Sequence, residues 1–496
     1  MSKSFLFPTV FAVLAASPAL ADLTAAQVWS GWQAFASQNG YQLSATSESQ
    51  SGDTLTVSGV TMAMSEADAT VSGTLGDFTF IERGDGTVSV DLPADWPMTF
   101  SGTDSDGVDF SATLTLSHTG LDLVVSGQPG QTLHTYTAPE ISLTSTGFET
   151  GGEAVPVDLD VTLTNLAGEY EIVDGTPMSI RSDMSAGGAA AAFSAVDTEG
   201  SGDRVSLLAS MTDMVSTSVG TMSSFTAMAG LGEMIAEGLT SEGTLSYRNA
   251  SYQIAGSGEG QDFELSAGAG SGQLDVSVGE NGLSYGGTNS DVTVNVASSQ
   301  MPLPDASLAM ANSSWKFDMP IAVSAEPQDF ALLLRIDGLT VSDTLWSMFD
   351  PMSTLPRDPA ALVLDLAGKG KWLVDITDPA LAETPMEGPP GELQALTIRE
   401  LRLDVAGAEL TGTGDLTFDN SAMPPVPAGA IDLQLVGGNG LMDKLVAMGL
   451  LPQEQAMGMR MMLGLFARPG AGEDTLVSTI ELTPDGGIVA NGQPLR

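Results

Sequence analysis

The sequence predicts a mainly β protein: an elongated antiparallel sheet, or sheets, with one helix at the N-terminus and a pair of helices near the C-terminus packed on sheet. Three observations carry the expectation. Thr, Ser, Val and Gly dominate, while Lys- and Glu-rich helix-forming runs are missing. The 57 glycines and 26 prolines punctuate short segments in which apolar and polar residues alternate. Those segments recur about every ten residues with turn signals between them, the rhythm of antiparallel hairpins.

The first 21 residues, MSKSFLFPTVFAVLAASPALA, have one lysine, a mostly apolar run over 5–16 and a small-residue ending at Ala19-Leu20-Ala21. They read as a cleaved secretory signal, so the expected location is the periplasm. The chain has no cysteine, which excludes a lipid-anchored product and leaves no disulfide to support the fold. No transmembrane anchor is expected in the mature chain, because its apolar stretches are short or interrupted by glycine and charge.

Residues 23–39 form the first helix candidate. Thr24 can cap it, Val28, Trp32 and Phe35 fall on one side, and Gly40 ends it. A one-sided stripe needs a host, and the sheet beginning at Tyr41 is the nearest. Over 54–64, Leu55 and Val57 share a side with Val60, Met62 and Met64, so Gly59 shifts the phase like a bulge. Strands are expected over 69–81, 87–92 after the turn Gly84-Asp85-Gly86, 99–101, 109–116, 121–125 and 159–163. Residues 205–211 read as a strand, 225–239 as a short helix, and 243–296 as glycine-rich strands. Met301-Pro302-Leu303-Pro304 is the best boundary, separating a β-rich half over 22–300 from another over 301–496.

Beyond that boundary, strands are expected over 330–341, 361–366 and 373–376. In 400–420, period two places Leu401, Leu403, Val405, Leu410, Leu416 and Phe418 on one face with Gly412 and Gly414. Glu400, Arg402, Asp404, Thr411, Thr413, Asp415 and Thr417 take the other. Glycines inside a strand weaken it unless something bulky lies close or the sheet bends. Gly412 and Gly414 therefore mark a place where a helix docks, or a sheet curved around a ligand. Two amphipathic helices follow over 440–450 and 453–466, then a hairpin over 475–482 and 487–490. The rhythm ADATVSGTLGDFTF at 67–80 returns as GAELTGTGDLTF at 407–418, which leaves open whether two similar halves arose by duplication.

Sixteen Lys and Arg face 62 Asp and Glu, a formal charge of −46, so nucleic acid is a poor partner and the surface is adapted to solubility, in a saline medium or around cations. The two histidines, His118 and His134, are expected at the surface or a strand edge and are too few for the usual zinc or iron sites. No G-x-S-x-G frame precedes a helix, and neither Ser210 nor Ser216 has one, so a catalytic triad is not expected. Carboxylates are too abundant for any pair to signal a glycosidase. Asp104, Asp106 and Asp109 resemble a calcium loop but lack the glutamate twelve positions on, so an acidic turn is the plainer reading and no cofactor is expected.

Methionines cluster around 211–234 and 442–462. Flexible thioethers fill irregular cores and also line adaptable binding surfaces. The candidate ligand groove is accordingly Met442, Met457, Met461 and Leu465 with Gly412 and Gly414. Lys371 and Arg402 are candidates for an anionic headgroup if they converge on one face, and otherwise pair with nearby carboxylates.

The order DGLTVSDTLWSMFDPMSTLPRDPAALVLDLAGKGKW (337–372), TIRELRLDVAGAELTGTGDLTFDN, two helices and LTPDGGIVANGQPL (482–495) resembles the alphaproteobacterial envelope family called domain of unknown function 2125, mainly over 330–496. That family has no assigned reaction, so the resemblance implies an exported β-rich protein and no catalytic residue. The hairpin rhythm is also similar to segments of AsmA-like envelope proteins, whose sheets form lipid-sheltering grooves. The function expected is a non-enzymatic periplasmic protein that binds an apolar or amphiphilic, lipid-like ligand in a sheet-lined groove. The alternative is a structural or assembly partner of other envelope proteins. A hydrolase of envelope polymers is the third reading.

Overall fold

A computed structural model describes residues 22–66, 69–103, 107–197, 202–223, 231–258, 261–280, 282–299, 306–377 and 388–495. The expected signal segment over 1–21, residues 225–230 of the expected second helix and the expected boundary at 301–304 lie outside them.

The chain opens with α1 (Ala25–Gln38). Thr24 Oγ1 accepts from the Gln27 N–H while the Gln27 side chain accepts from the Thr24 N–H, a capping box that satisfies two otherwise unpaired donors. Gly40, at φ 78°, ends the helix. The buried face is Ala25, Val28 and Trp29 with Trp32 beside them, whereas Phe35 is exposed. The expected stripe therefore holds at its start and fails at its end, where Phe35 borders a cavity instead of packing.

β1 (Gln42–Ser44) and β2 (Ser47–Ser51) both pair with β3 (Thr54–Glu66), which pairs with β4 (Ala69–Glu82). Gly59 sits at φ 64° where the β3–β4 register shifts, as the phase change in the sequence requires. Next come β5 (Val88–Asp91), β6 (Asp95–Thr103), β7 (Asp109–Thr119), β8 (Asp122–Gln128) and β9 (Gln131–Thr150). The long strands β4 and β9 are bridged side by side by two short pairs, β6–β7 and β5–β8. β10 (Glu153–Ala154) extends the β9 edge.

From there the chain meanders. β11 (Val157–Val173), β12 (Met178–Val196) and β13 (Arg204–Met222) precede the short α2 (Leu231–Ala236). β14 (Thr240–Gly258), β15 (Gln261–Gly279), β16 (Gly282–Ser298), β17 (Ala306–Met319) and β18 (Gln328–Val341) lead to α3 (Asp343–Phe349). β19 (Ala360–Trp372), β20 (Gly391–Val405), β21 (Ala408–Asp419) and β22 (Val426–Val436) precede the helix pair α4 (Gly438–Ala447) and α5 (Gln453–Phe466). β23 (Arg468–Pro469), β24 (Thr475–Leu482), β25 (Ile488–Ala490) and β26 (Gln493–Pro494) finish the sheet. All described strands belong to one antiparallel sheet. The ladder passes from β16 to β17 without a break, pairing Leu283 with Met319 and Val296 with Ala306.

The thick core is at the N-terminal end, where α1 covers Leu55, Val57, Val60, Phe78, Phe80 and Val125. A second cluster joins Ala138, Leu166, Ala186 and Met214 across β9 to β13. Beyond β14 the main helix contacts with the sheet lie at strand ends, α3 against β17 and α4 against β21, and Val363, Asp350 and Leu355 are buried near α3.

The inner strands keep their apolar face by breaking step once. Asn165, Asp213, Asn249 and Asp291 stand at φ 51°, 50°, 46° and 52° in mid-strand. A left-handed residue reverses the alternation, so residues three apart face the same way, and Asn and Asp tolerate that conformation best after Gly. Leu163 and Leu166, and Met211 and Met214, accordingly pack in one cluster, which Ala186 and Ala189 of the strand between them join. Glycines occupy neighbouring points: a Cβ on Gly187 would lie 3.0 Å from the Asn165 amide, and one on Gly270 3.1 Å from the Asp291 side chain. These pivots form a line across the sheet.

Candidate functional site

Cross-strand partners share a face, so the register traces what each face carries. One row runs Tyr136, Gly168, Met184, Ser216, Leu245, Leu274 and Gly287 from β9 to β16. It continues Trp315, Leu334, Leu364, Leu401, Gly412 and Leu433 to Ser478 of β24. At about 4.8 Å per strand the row is about 60 Å long. Flanking rows are as apolar: Leu207, Ile254, Leu265 and Val296 are successive partners, as are Phe317, Leu332, Leu366 and Ile398. The opposite face carries Thr217 beside Thr244, Gln253 beside Glu264, and most of the ion pairs of the C-terminal half.

Glycines in the row make room for large neighbours. A Cβ on Gly287 would stand 3.1 Å from the Trp315 ring, one on Gly168 2.7 Å from the Tyr136 hydroxyl, and one on Gly412 2.7 Å from Leu433. Beyond β14, Phe263, Tyr285, Phe317, Leu334 and Leu403 are exposed on this face, while at one end of the strands Trp372 donates to the Pro320 carbonyl and Gly232 of α2 donates to the Thr377 hydroxyl.

At its N-terminal end the face runs under α1, where a cavity of about 730 Å³ opens between the helix and the sheet. Val28 and Trp32 form its roof, and Leu123, Leu166, Tyr170 and Ile172 its floor. His134 is 2% exposed and lies in that floor, which corrects the surface or strand-edge placement expected for it. The reason is α1: the Trp32 indole N–H donates to His134 Nε2 at 3.1 Å, and Tyr170 stacks on the imidazole at 4.3 Å. Because the indole is only a donor, Nε2 is the acceptor and the proton sits on Nδ1. Burial pushes the imidazole down to about 4, and the Tyr170 main chain only partly offsets this. Burial likewise pushes the Tyr170 phenol up to about 12. Both side chains are neutral across the physiological range. His118 is half-buried with its ring edge-on to Trp96 at 6.5 Å.

The other expected site residues are dispersed. Gly412 lies in the central row and Gly414 on the same face, but no helix docks there: Leu433 and Ile431 of the neighbouring strand fill the space beside them. Met442 is buried at 7%, in α4. Met457, Met461 and Leu465 of α5 are 65%, 68% and 60% exposed, on the outside of the helix pair, so they line no common cleft with Met442. Lys371 and Arg402 share the polar face, opposite the apolar row. Arg402 pairs across from Val363, eight residues along β19 from Lys371, about 27 Å away. Each has its own carboxylate, Glu392 at 3.0 Å for Lys371 and Glu409 at 3.1 Å for Arg402, so they do not converge. Asp104 and Asp106 lie outside the described residues, and Asp109 accepts from the Thr103 hydroxyl at 3.0 Å. No group of three or more metal-ligating side chains occurs among the described residues. No described helix is long and apolar enough to cross a membrane.

The α1 cavity was missed by the sequence reading. Its signal was present in the pairing of a two-tryptophan helix, Trp29 and Trp32, with a histidine in a Tyr-rich strand, Leu133-His134-Thr135-Tyr136, but nothing in the sequence shows that these meet.

A family model described as an uncharacterized protein conserved in bacteria (DUF2125) matches residues 247–495. The match begins in β14, well before the region that carries the sequence resemblance, and crosses the 301–304 segment. No curated protein and no solved structure matches. The similarity to AsmA-like proteins has no counterpart in these comparisons.

Proposed function

The chain belongs to the DUF2125 family, whose description names no reaction, and from that premise we propose that it is a non-enzymatic periplasmic protein that holds the apolar part of a lipid-like molecule against the apolar face of its sheet. The observation that carries the reading is the continuous row from Tyr136 to Leu433, with Phe263, Tyr285, Phe317 and Leu334 exposed on the same face. Leaving such a face in water costs about 25 cal/mol for each Å² of apolar surface, and uncovered patches of this kind mark binding surfaces. The secretory signal favours the envelope as the place where lipid would be met.

The second reading, an assembly partner, calls for fully packed C-terminal helices and a free strand edge. α5 instead leaves Met457 and Met461 in solvent. The sheet edges are short, β2 being Ser-Glu-Ser-Gln-Ser and β26 two residues. Both features favour ligand binding over strand addition.

Native mass spectrometry of the mature protein from its own host, followed by organic extraction, tests the proposal. A stoichiometric lipid is expected. A clean apo mass with no thermal shift on adding phospholipid or fatty acid refutes it.

A further inference from the structure

The α1 cavity specifies more than apolarity. Its interior is aliphatic and aromatic, and none of its lining residues is Lys or Arg. The one ionised side chain at its wall is Asp174, exposed at the mouth with Gln27, Ser30 and Thr132 nearby. Among the described residues the Asp174 carboxylate makes no hydrogen bond and no ion pair; only its backbone N–H is engaged, to the Gly130 carbonyl. The whole chain adds a strongly negative field, −46 in formal charge. An anionic head at this mouth would face a carboxylate with no cation to offset it, while a head bearing hydroxyl or ammonium donors would find an acceptor. The volume, about 730 Å³, lies within the range of about 300–1,000 Å³ usual for small-molecule sites.

We propose that this cavity takes the acyl tail of a single-chain amphiphile whose head carries hydrogen-bond donors and no negative charge, with Asp174 meeting that head. The assignment rests on the lipid-binding reading above and names the ligand class for one end of that face. Trp32 is the roof and reports occupancy. The aliphatic tail replaces water against Val28, Leu166 and Ile172, and the head stays at the polar rim, so no charge is carried into the interior.

The test uses the mature full-length protein, titrated with 1-monopalmitoylglycerol and with palmitate at pH 8, below their aggregation limits, with tryptophan fluorescence and calorimetry as readouts. Monopalmitoylglycerol is expected to bind one to one and palmitate at least tenfold more weakly. D174K, at an exposed position that leaves the fold intact, should reverse the order, raising palmitate affinity tenfold or more. Ala34→Trp, which fills the cavity from the exposed side of α1, should weaken both. Equal binding of the two amphiphiles, or no change of preference in D174K, overturns the ligand class while leaving lipid binding by the apolar face in place. Undiminished binding in Ala34→Trp overturns the cavity as the site. Failure of every lipid, here and in the co-purification experiment, removes the underlying reading itself.

Discussion

His134 is held neutral by its surroundings, and that has a measurable price in acid. Its folded value is about 4 against 6.5 for the free side chain, so the unfolded chain takes up the proton first as pH falls. Its contribution is fully present above about pH 6.5 and is lost progressively between there and pH 4. At pH 4.5 the loss is on the order of 2–3 kcal/mol. Urea denaturation at pH 7 and 4.5 should show that loss in the wild type and a smaller one in His134→Gln; equal losses would remove His134 as the cause. The sequence placed this residue at the surface or a strand edge because His134 sits in a threonine-rich strand context. Burial came from Trp32, 102 positions away, through a contact that local pattern does not encode.

At the scale of elements, alternation and turn chemistry were legible and length was not. The capped helix, the Gly59 phase shift and the two faces of 400–420 follow from residue order alone. Residues 205–211 were read as a short strand, yet β13 runs through 204–222, because Asp213 interrupts the alternation that defines a strand to the eye. The same device that shifts phase at Gly59 operates at Asn165, Asp213, Asn249 and Asp291, and apolar residues three apart around an Asn or Asp are its signature. Replacing Asp213 by Val, which resists a positive φ, should cost about 1–2 kcal/mol in urea unfolding, while Asp213→Gly should change little. A Val variant as stable as wild type would mean the strand can run straight. The helix pair α4–α5 was placed correctly in sequence, but the methionines of α5 face solvent while Met442 of α4 is buried, since helical periodicity gives an apolar side without saying what that side meets.

For the whole molecule, composition was the reliable guide. Sixteen positive groups against 62 negative ones leave a surplus that local ion pairs such as Lys371–Glu392 cannot absorb. The melting temperature should therefore rise by several degrees between about 10 mM and 0.5 M NaCl as the repulsion is screened. A flat profile would show that the surplus is too widely spread to matter. The apolar face was less legible, because the sheet assembles it from partners scattered over three hundred positions, and only the register brings them together.

The meander from β11 to β22 has a further consequence. From β12 to β21 each strand bonds only with its predecessor and successor, so stability in that stretch is a sum over nearest neighbours, as in repeat proteins. Such a ladder can gain or lose a hairpin without rewiring what remains, each one changing its reach by roughly 10 Å. The span of the apolar surface is thus a modular dimension, set by how many hairpins the gene supplies.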